Sequence, residues 1–339
     1  MKTKALIIHQ GALGDLILSF PALLSFRNDA QVSVALWCAG GLGRLARELN
    51  IVDAHFSLES ALFSSVFCDE ITSPAKAFIN DYDTIILVSF SDAIAYHLRQ
   101  HYGGKVYQIA PRPPADEKTH IALHLTGQFC EKGLIRNRCS AGSCLPKTRF
   151  VSLRSNTATP IQEHIVFMHP GAGSLRKRWP VENFLRTALE VENDSLGKVV
   201  FVLGPAESDL APVIKEGPAG RFPVCEVSDV YSLPALLKQA SCFVGHDSGV
   251  THLAAFMGVP TVAIFGPSSV ERWSPVGLAT RVLRGSVQCS PCFETDGANC
   301  NDPRCLTGVS MQMILEAVKE LTVSEGRLGG RPTKSAAVK

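Results

Sequence analysis

The residues best suited to chemistry sit in short polar turns that follow apolar runs. His246-Asp247-Ser248-Gly249 separates an apolar stretch at 242–245 from a stretch at helical spacing, 250–257, whose Val250, Leu253, Ala254 and Met257 share one stripe. A helix N-terminus offers free N–H groups and partial positive charge, which suits a phosphate. Asp247 cannot bind that phosphate itself and is better placed to accept hydrogen bonds from sugar hydroxyls. The alternative is that Asp247 or Ser248 only caps the helix. A second turn, Gly171-Ala172-Gly173-Ser174-Leu175-Arg176-Lys177-Arg178-Trp179-Pro180, combines glycines that admit a ligand close to the backbone with a cluster of cations. Lys177 and a neighbouring arginine can neutralise a diphosphate, and Pro180 fixes the exit into a helix. The Gly-Lys-Ser/Thr ending of a Walker loop is missing. The plain surface-loop alternative leaves Trp179 unexplained.

Two carboxylates occupy comparable positions. Asp15 closes Gln10-Gly11-Ala12-Leu13-Gly14-Asp15 behind an apolar strand at 5–9. Gly11 and Gly14 form part of a dinucleotide fingerprint, but Asp15 stands where its third glycine belongs, which counts against a pyrophosphate on this loop. Asp15 is therefore a helix cap or a poised base. Glu207, after Gly204-Pro205-Ala206, either accepts from a ribose or base or caps the next helix. Finally, Cys289-x2-Cys292-x7-Cys300-x4-Cys305 lies in a loop rich in Asp, Asn, Pro and Gly. Its spacing admits a structural zinc site, free thiols or disulfides, with no catalytic role expected.

The elements that must carry these turns alternate along the chain. Strands are predicted at 5–9, 31–37, 84–90, 105–109, 165–169, 198–203, 242–245 and 261–265, and helices at 16–24, 41–49, 93–100, 181–191, 233–239, 250–257 and 311–321, with Pro21 kinking or dividing the first helix. Alternation of this kind specifies an α/β fold with parallel sheets, whose ligands bind beyond the strands' carboxyl ends. At 165 the chain starts again: an apolar strand, a histidine, one residue and Gly-Ala repeat the pattern of 5–12, which fits two similar halves across a cleft. The expected division is 1–155, 163–323 and a disordered tail at 324–339. Between 132 and 154 Lys132, Arg136, Arg138, Lys147, Arg149 and Arg154 occur without an acid, as a solvated surface or a landing site for an anionic acceptor or membrane.

Composition narrows the classes further. A net charge of +2 over 339 residues gives no global basic balance, so nucleic acid is not an expected partner. No apolar run approaches the roughly 20 residues of a membrane span. The start lacks a signal-peptide cleavage pattern, so a cytoplasmic protein is expected, and its 11 cysteines need not form a disulfide framework. Cys38, Cys68, Cys225 and Cys242 read as small core residues.

Over about residues 4 to 322 the chain resembles glycosyltransferase family 9, the heptosyltransferases of lipopolysaccharide core assembly. The resemblance is carried by Gly14-Asp15-Leu16-Ile17-Leu18-Ser19-Phe20-Pro21, by His169-Pro170-Gly171-Ala172 with Lys177-Arg178-Trp179-Pro180, and by 246–255. It implies two facing Rossmann-like doubly wound domains (a GT-B fold), with an acceptor-binding N-terminal half and a nucleotide-sugar-binding C-terminal half. It further implies inverting transfer of heptose from ADP-heptose to an anionic lipid-linked saccharide, a lipid A–Kdo core, at the cytoplasmic face of the inner membrane and without a required cofactor. The family's base falls on Asp15 and its diphosphate-binding lysine on Lys177. Donor contacts fall on Gly171, Ala172, Glu207, Asp247, Ser248, Gly249 and His252, with Ser248 replacing the family's threonine. Gly14, Arg136 and Arg138 are the expected acceptor contacts. A nucleotide-sugar epimerase or hydrolase, a nicotinamide oxidoreductase and an inactive nucleotide-sugar-binding protein are the alternatives on the same scaffold.

Overall fold

The computed structural model describes residues 3–66, 71–136, 164–216, 222–294, 300 and 302–327. Its central strands are the apolar runs of the sequence, buried on both faces as parallel strands require. Five of them, β1 (Lys4–His9), β2 (Ser33–Cys38), β3 (Ala54–Ser57), β4 (Thr84–Val88) and β5 (Lys105–Ile109), form one sheet in the order β3-β2-β1-β4-β5. The remaining six are β6 (Ile165–His169), β7 (Lys198–Leu203), β8 (Val224–Glu226), β9 (Cys242–His246), β10 (Thr261–Phe265) and β11 (Thr280–Arg284). They form a second sheet in the order β11-β10-β9-β6-β7-β8. The ladders are parallel throughout, with β1 in register between β2 and β4 and β6 between β7 and β9. This is the expected α/β architecture of two doubly wound sheets.

Strand order reverses between β1 and β4 in the first sheet and between β6 and β9 in the second. Such reversals open crevices at the carboxyl ends of the strands. The loops at 10–15, 170–180 and 247–249 all leave strands that border these crevices.

Two helices join the halves. Helix Leu13–Ala30 follows β1 and helix Gly249–Phe256 follows β9, and they pack on one another through Leu13 against Gly249 and an edge-on ring pair, Phe20–Phe256, with centroids 5.2 Å apart. The first helix corrects the expectation that Pro21 divides it: it continues from Leu13 to Ala30 with Pro21 inside. Leu16, Ile17, Phe20, Pro21 and Leu23 are all buried, and that packing offsets a proline penalty of about 3 kcal/mol. Gly258, at φ +80°, ends the second helix where the sequence places its stop.

A second correction concerns the C-terminus. The last helix spans Met311–Arg327, beyond the expected tail boundary at 324, and 328–339 lie outside the described residues. The expected division between 155 and 163 and most of the basic stretch, including Arg138, also lie outside them. Among the described residues no helix is long and apolar enough to cross a membrane.

A buried arginine ties the halves together a second time. Arg272, in the helical turn Val270–Trp273, donates to the carbonyls of Pro113 (3.1 Å), Pro114 (2.6 Å) and Glu117, and pairs through Nε with Glu294 at 2.7 Å. Beside it the His120 ring meets the Ser274 carbonyl at 2.8 Å.

Candidate active site

The 170–180 loop is held from below by a histidine. His246 ends β9, fully buried, and its Nε2 accepts the Trp179 backbone N–H at 2.7 Å. An imidazole that accepts at Nε2 carries its proton on Nδ1, which lies 3.0 Å from the Gly171 carbonyl and donates to it. Burial pushes the His246 pKa down to about 3, so this neutral tautomer persists across physiological pH. The sequence motif contains His246, but its role as a tie between β9 and the cation loop was not legible there.

The loop's cations then divide. Lys177 Nζ meets Asp247 Oδ2 at 2.7 Å, and the His252 ring stands 3.5 Å from Asp247 Oδ1. Burial alone would raise the Asp247 carboxyl. The hydrogen bond from His252 and the Lys177 charge overcome it and hold the group well below the usual carboxylate range. Arg178 turns the other way, to the Ala172 carbonyl at 3.3 Å and Glu207 Oε1 at 3.2 Å. Glu207 Oε2 accepts from the Gly204 N–H at 3.1 Å, which makes it a cap as well as an ion-pair partner. Gly171 has to be glycine, since a Cβ there would lie 2.4 Å from the Glu207 carboxyl.

Ser248 caps helix Gly249–Phe256, its Oγ accepting from Thr251 N at 3.4 Å. Across the gap, Asp15 stands in the first turn of helix Leu13–Ala30, half-buried, with Oδ2 accepting from the Ala12 N–H at 3.1 Å. Both capping alternatives are thus realised, and neither precludes a second role. The two helix starts meet at Gly14, where a Cβ would lie 3.6 Å from the His252 ring and 3.7 Å from the Gly249 Cα. Two positive helix ends therefore converge on one cleft.

A cavity of about 300 Å³ opens there, lined by Leu13 and Gly14 from one half and by Ala172, Glu207, Ser248 and Gly249 from the other. Val202, Leu203, Val227 and Leu233 give it an apolar wall. A mostly apolar pocket with few polar groups at one end has the form of a site for an aromatic base with an anionic tail.

The structure therefore gathers Gly14, Gly171, Ala172, Lys177, Glu207, Asp247, Ser248, Gly249 and His252 around one cleft, with Asp15 at its edge. It does not bring Arg136 there. The Arg136 N–H bonds Asp29 at the opposite end of the first helix, about 20 Å along the axis from Asp15 at 1.5 Å per residue. Its backbone thus lies at the far end of the first helix from Asp15.

The cysteine loop, expected to stand apart from the chemistry, touches the site. Phe293 lies under two of the loop's three cations, its ring centroid 4.3 Å from Lys177 Nζ and 5.5 Å from the Arg176 guanidinium. Cys289 and Cys300 are exposed, Cys292 is half-buried and Cys305 buried. Among the described residues no group of three or more His, Cys, Asp or Glu side chains is arranged to hold a metal ion. Cys38 and Cys242 are buried in the core as expected and Cys225 is half-buried. Cys68 lies outside the described residues.

Residues 144–301 match the family model of glycosyltransferase family 9 (heptosyltransferase). Lipooligosaccharide heptosyltransferase 2 of Campylobacter jejuni is 27% identical over 163 residues, which cover 46% of this chain and 50% of that protein. The chain thus spans about half the length of such curated relatives. A glycosyl transferase family 9 structure from Veillonella parvula superposes with a TM-score of 0.72 at 18% identity, covering 96% of this chain and 98% of that one. The E. coli heptosyltransferase WaaC, solved with ADP, gives 0.67 at 16% identity, covering 94% and 100%. These structures share the fold.

Proposed function

We propose that the chain is a member of glycosyltransferase family 9 and that it transfers heptose from ADP-heptose to a lipopolysaccharide core acceptor of the lipid A–Kdo type. In this reading the anomeric carbon inverts, no catalytic metal takes part, and the acceptor approaches from the cytoplasmic face of a membrane. The observation that carries the reading is the pocket shared by both halves, where the start of helix Leu13–Ala30 meets the start of helix Gly249–Phe256 beside the Lys177–Asp247 pair.

The adenine ring occupies the apolar wall of Val202, Leu203, Val227 and Leu233, with Glu207 toward the ribose. The diphosphate lies at the N-terminus of helix Gly249–Phe256, where free N–H groups and the Lys177 ammonium offset its charge. Asp247 keeps Lys177 at that position and faces the sugar hydroxyls. Asp15 takes the proton from the acceptor hydroxyl as its oxygen attacks the anomeric carbon and the bond to ADP breaks. Its Oδ2 is engaged by Ala12, so Oδ1 is the oxygen assigned to this transfer. Charge building on the departing ADP is stabilised by groups already oriented before reaction. Packing of the two halves excludes water that would hydrolyse the donor.

The test is a donor panel with and without acceptor. Purified protein should consume ADP-heptose only when a Kdo-lipid A acceptor is present, giving a heptosylated product of inverted anomeric configuration. Donor consumption without acceptor would point instead to the epimerase or hydrolase, and stabilisation by ADP-heptose without turnover to an inactive binding protein.

A further inference from the structure

The segment that brings Phe293 to the cation loop is anchored rather than draped. The Ser290 hydroxyl donates to the Gly266 carbonyl at 2.8 Å, and the N–H groups of Cys292 and Phe293 both donate to the Pro267 carbonyl, at 2.9 and 3.0 Å. Glu294 pairs with the buried Arg272 at 2.7 Å. Ties on both sides of the ring fix it to the carboxyl end of β10. Lys177 Nζ is consequently held between the Asp247 carboxylate at 2.7 Å and the face of Phe293 at 4.3 Å. A lysine is a point charge on a flexible stem and keeps one position only when its surroundings fix it. The carboxylate supplies the attraction. The ring, 4.3 Å from the ammonium, supplies a weaker one.

We propose that Phe293 is a positioning residue for Lys177, and that the cysteine-bearing loop serves the donor site by delivering this ring. The inference rests on the reading of Lys177 as a diphosphate ligand only for its consequence in donor affinity, not for the positioning itself. The ring acts through its π face, so tyrosine should replace it and leucine, similar in bulk, should not.

Two readouts separate the claims. Reductive methylation of Lys177, followed by mass spectrometry on the folded full-length chain without nucleotide, reads the lysine's confinement directly. Phe293→Leu should raise its rate several-fold over wild type while Phe293→Tyr leaves it near wild type. Calorimetric titration with ADP reads the consequence. Phe293→Leu should weaken ADP by about 3- to 30-fold, the range of a partly desolvated cation–π contact. Phe293→Tyr should stay within about twofold by the same argument. In a Lys177→Ala background Phe293→Leu should add nothing. An unchanged methylation rate in Phe293→Leu, or equal loss in Phe293→Tyr, overturns the inference. A raised rate with unaltered ADP affinity sustains the positioning of Lys177 and overturns the assignment of the diphosphate to it.

Discussion

At the scale of single residues, the site is built on groups kept neutral or kept charged by burial and partners. His246 and His9 are both fully buried, and desolvation lowers their pKa values to about 3 and about 4. A histidine depressed in the folded state binds its proton mainly after unfolding. Its stabilising contribution is complete above pH 6.5 and is lost as pH falls toward the folded value. Each of these two should remove about 2 kcal/mol of stability by pH 5. Thermal denaturation should therefore show a falling midpoint from pH 6.5 downward, well above the carboxylate range, and a flat profile to pH 5 would contradict neutral burial. Asp247 acts lower. Its carboxyl is depressed, so its contribution stands above about pH 4, its unfolded value, and fades below that. Asp247→Asn should be less stable than wild type at neutral pH and should lose part of the steepness below pH 4. Lys177→Ala should weaken ADP and turnover together, and unchanged kinetics would remove Lys177 from the site.

At the scale of elements, two glycines that face each other across the helix contact, Gly14 and Gly249, have opposite requirements. A Cβ on Gly249 would lie 2.7 Å from Leu13 Cβ and Cγ, so Gly249→Ala must push the two facing helices apart. That overpacking should cost about 1–3 kcal/mol and lower ADP affinity. Gly14→Ala meets only ordinary contacts and removes a glycine from a helical position, so its thermal midpoint should equal or exceed wild type. A comparison of the two midpoints tests how closely the helix starts meet. The same elements show what sequence reveals. Strands such as β6, β7 and β10 coincide with their expected bounds because residues buried on both faces leave an unbroken apolar run. The edge strands β3 and β11 are half-buried and carry His55, Arg281 and Arg284, so no such run marks them. Helix Ile121–Glu131 was legible in principle from Ile121, Ala122, Leu125 and Phe129 on one face, but its N-cap is His120, outside the usual capping residues. Asp15, Lys177 and Asp247 could be picked out by type and position. Phe293 and Arg272 could not, since their importance comes from partners 22 to 159 positions away.

At the scale of the whole molecule, function in this account requires the two halves to hold a fixed relation. Arg272 is the buried tie, with three carbonyls of the first half and the Glu294 carboxylate converging on one guanidinium. Arg272→Ala strips the charge from Glu294 and orphans those carbonyls. It should cost about 3–5 kcal/mol in denaturant unfolding, with Arg272→Lys recovering only part because an ammonium cannot match the planar fork. A loss within the scatter of surface substitutions would mean the halves are held elsewhere. The relation matters because the proposed base and the proposed leaving-group cradle lie on opposite halves. The most direct measurement is therefore turnover and ADP affinity on the same preparation of Asp15→Asn. The account predicts that heptose transfer is abolished while the ADP dissociation constant stays within about twofold of wild type, since a shift of that size is under 0.5 kcal/mol. Retained transfer, or ADP affinity lost along with it, would contradict the division of labour across the cleft.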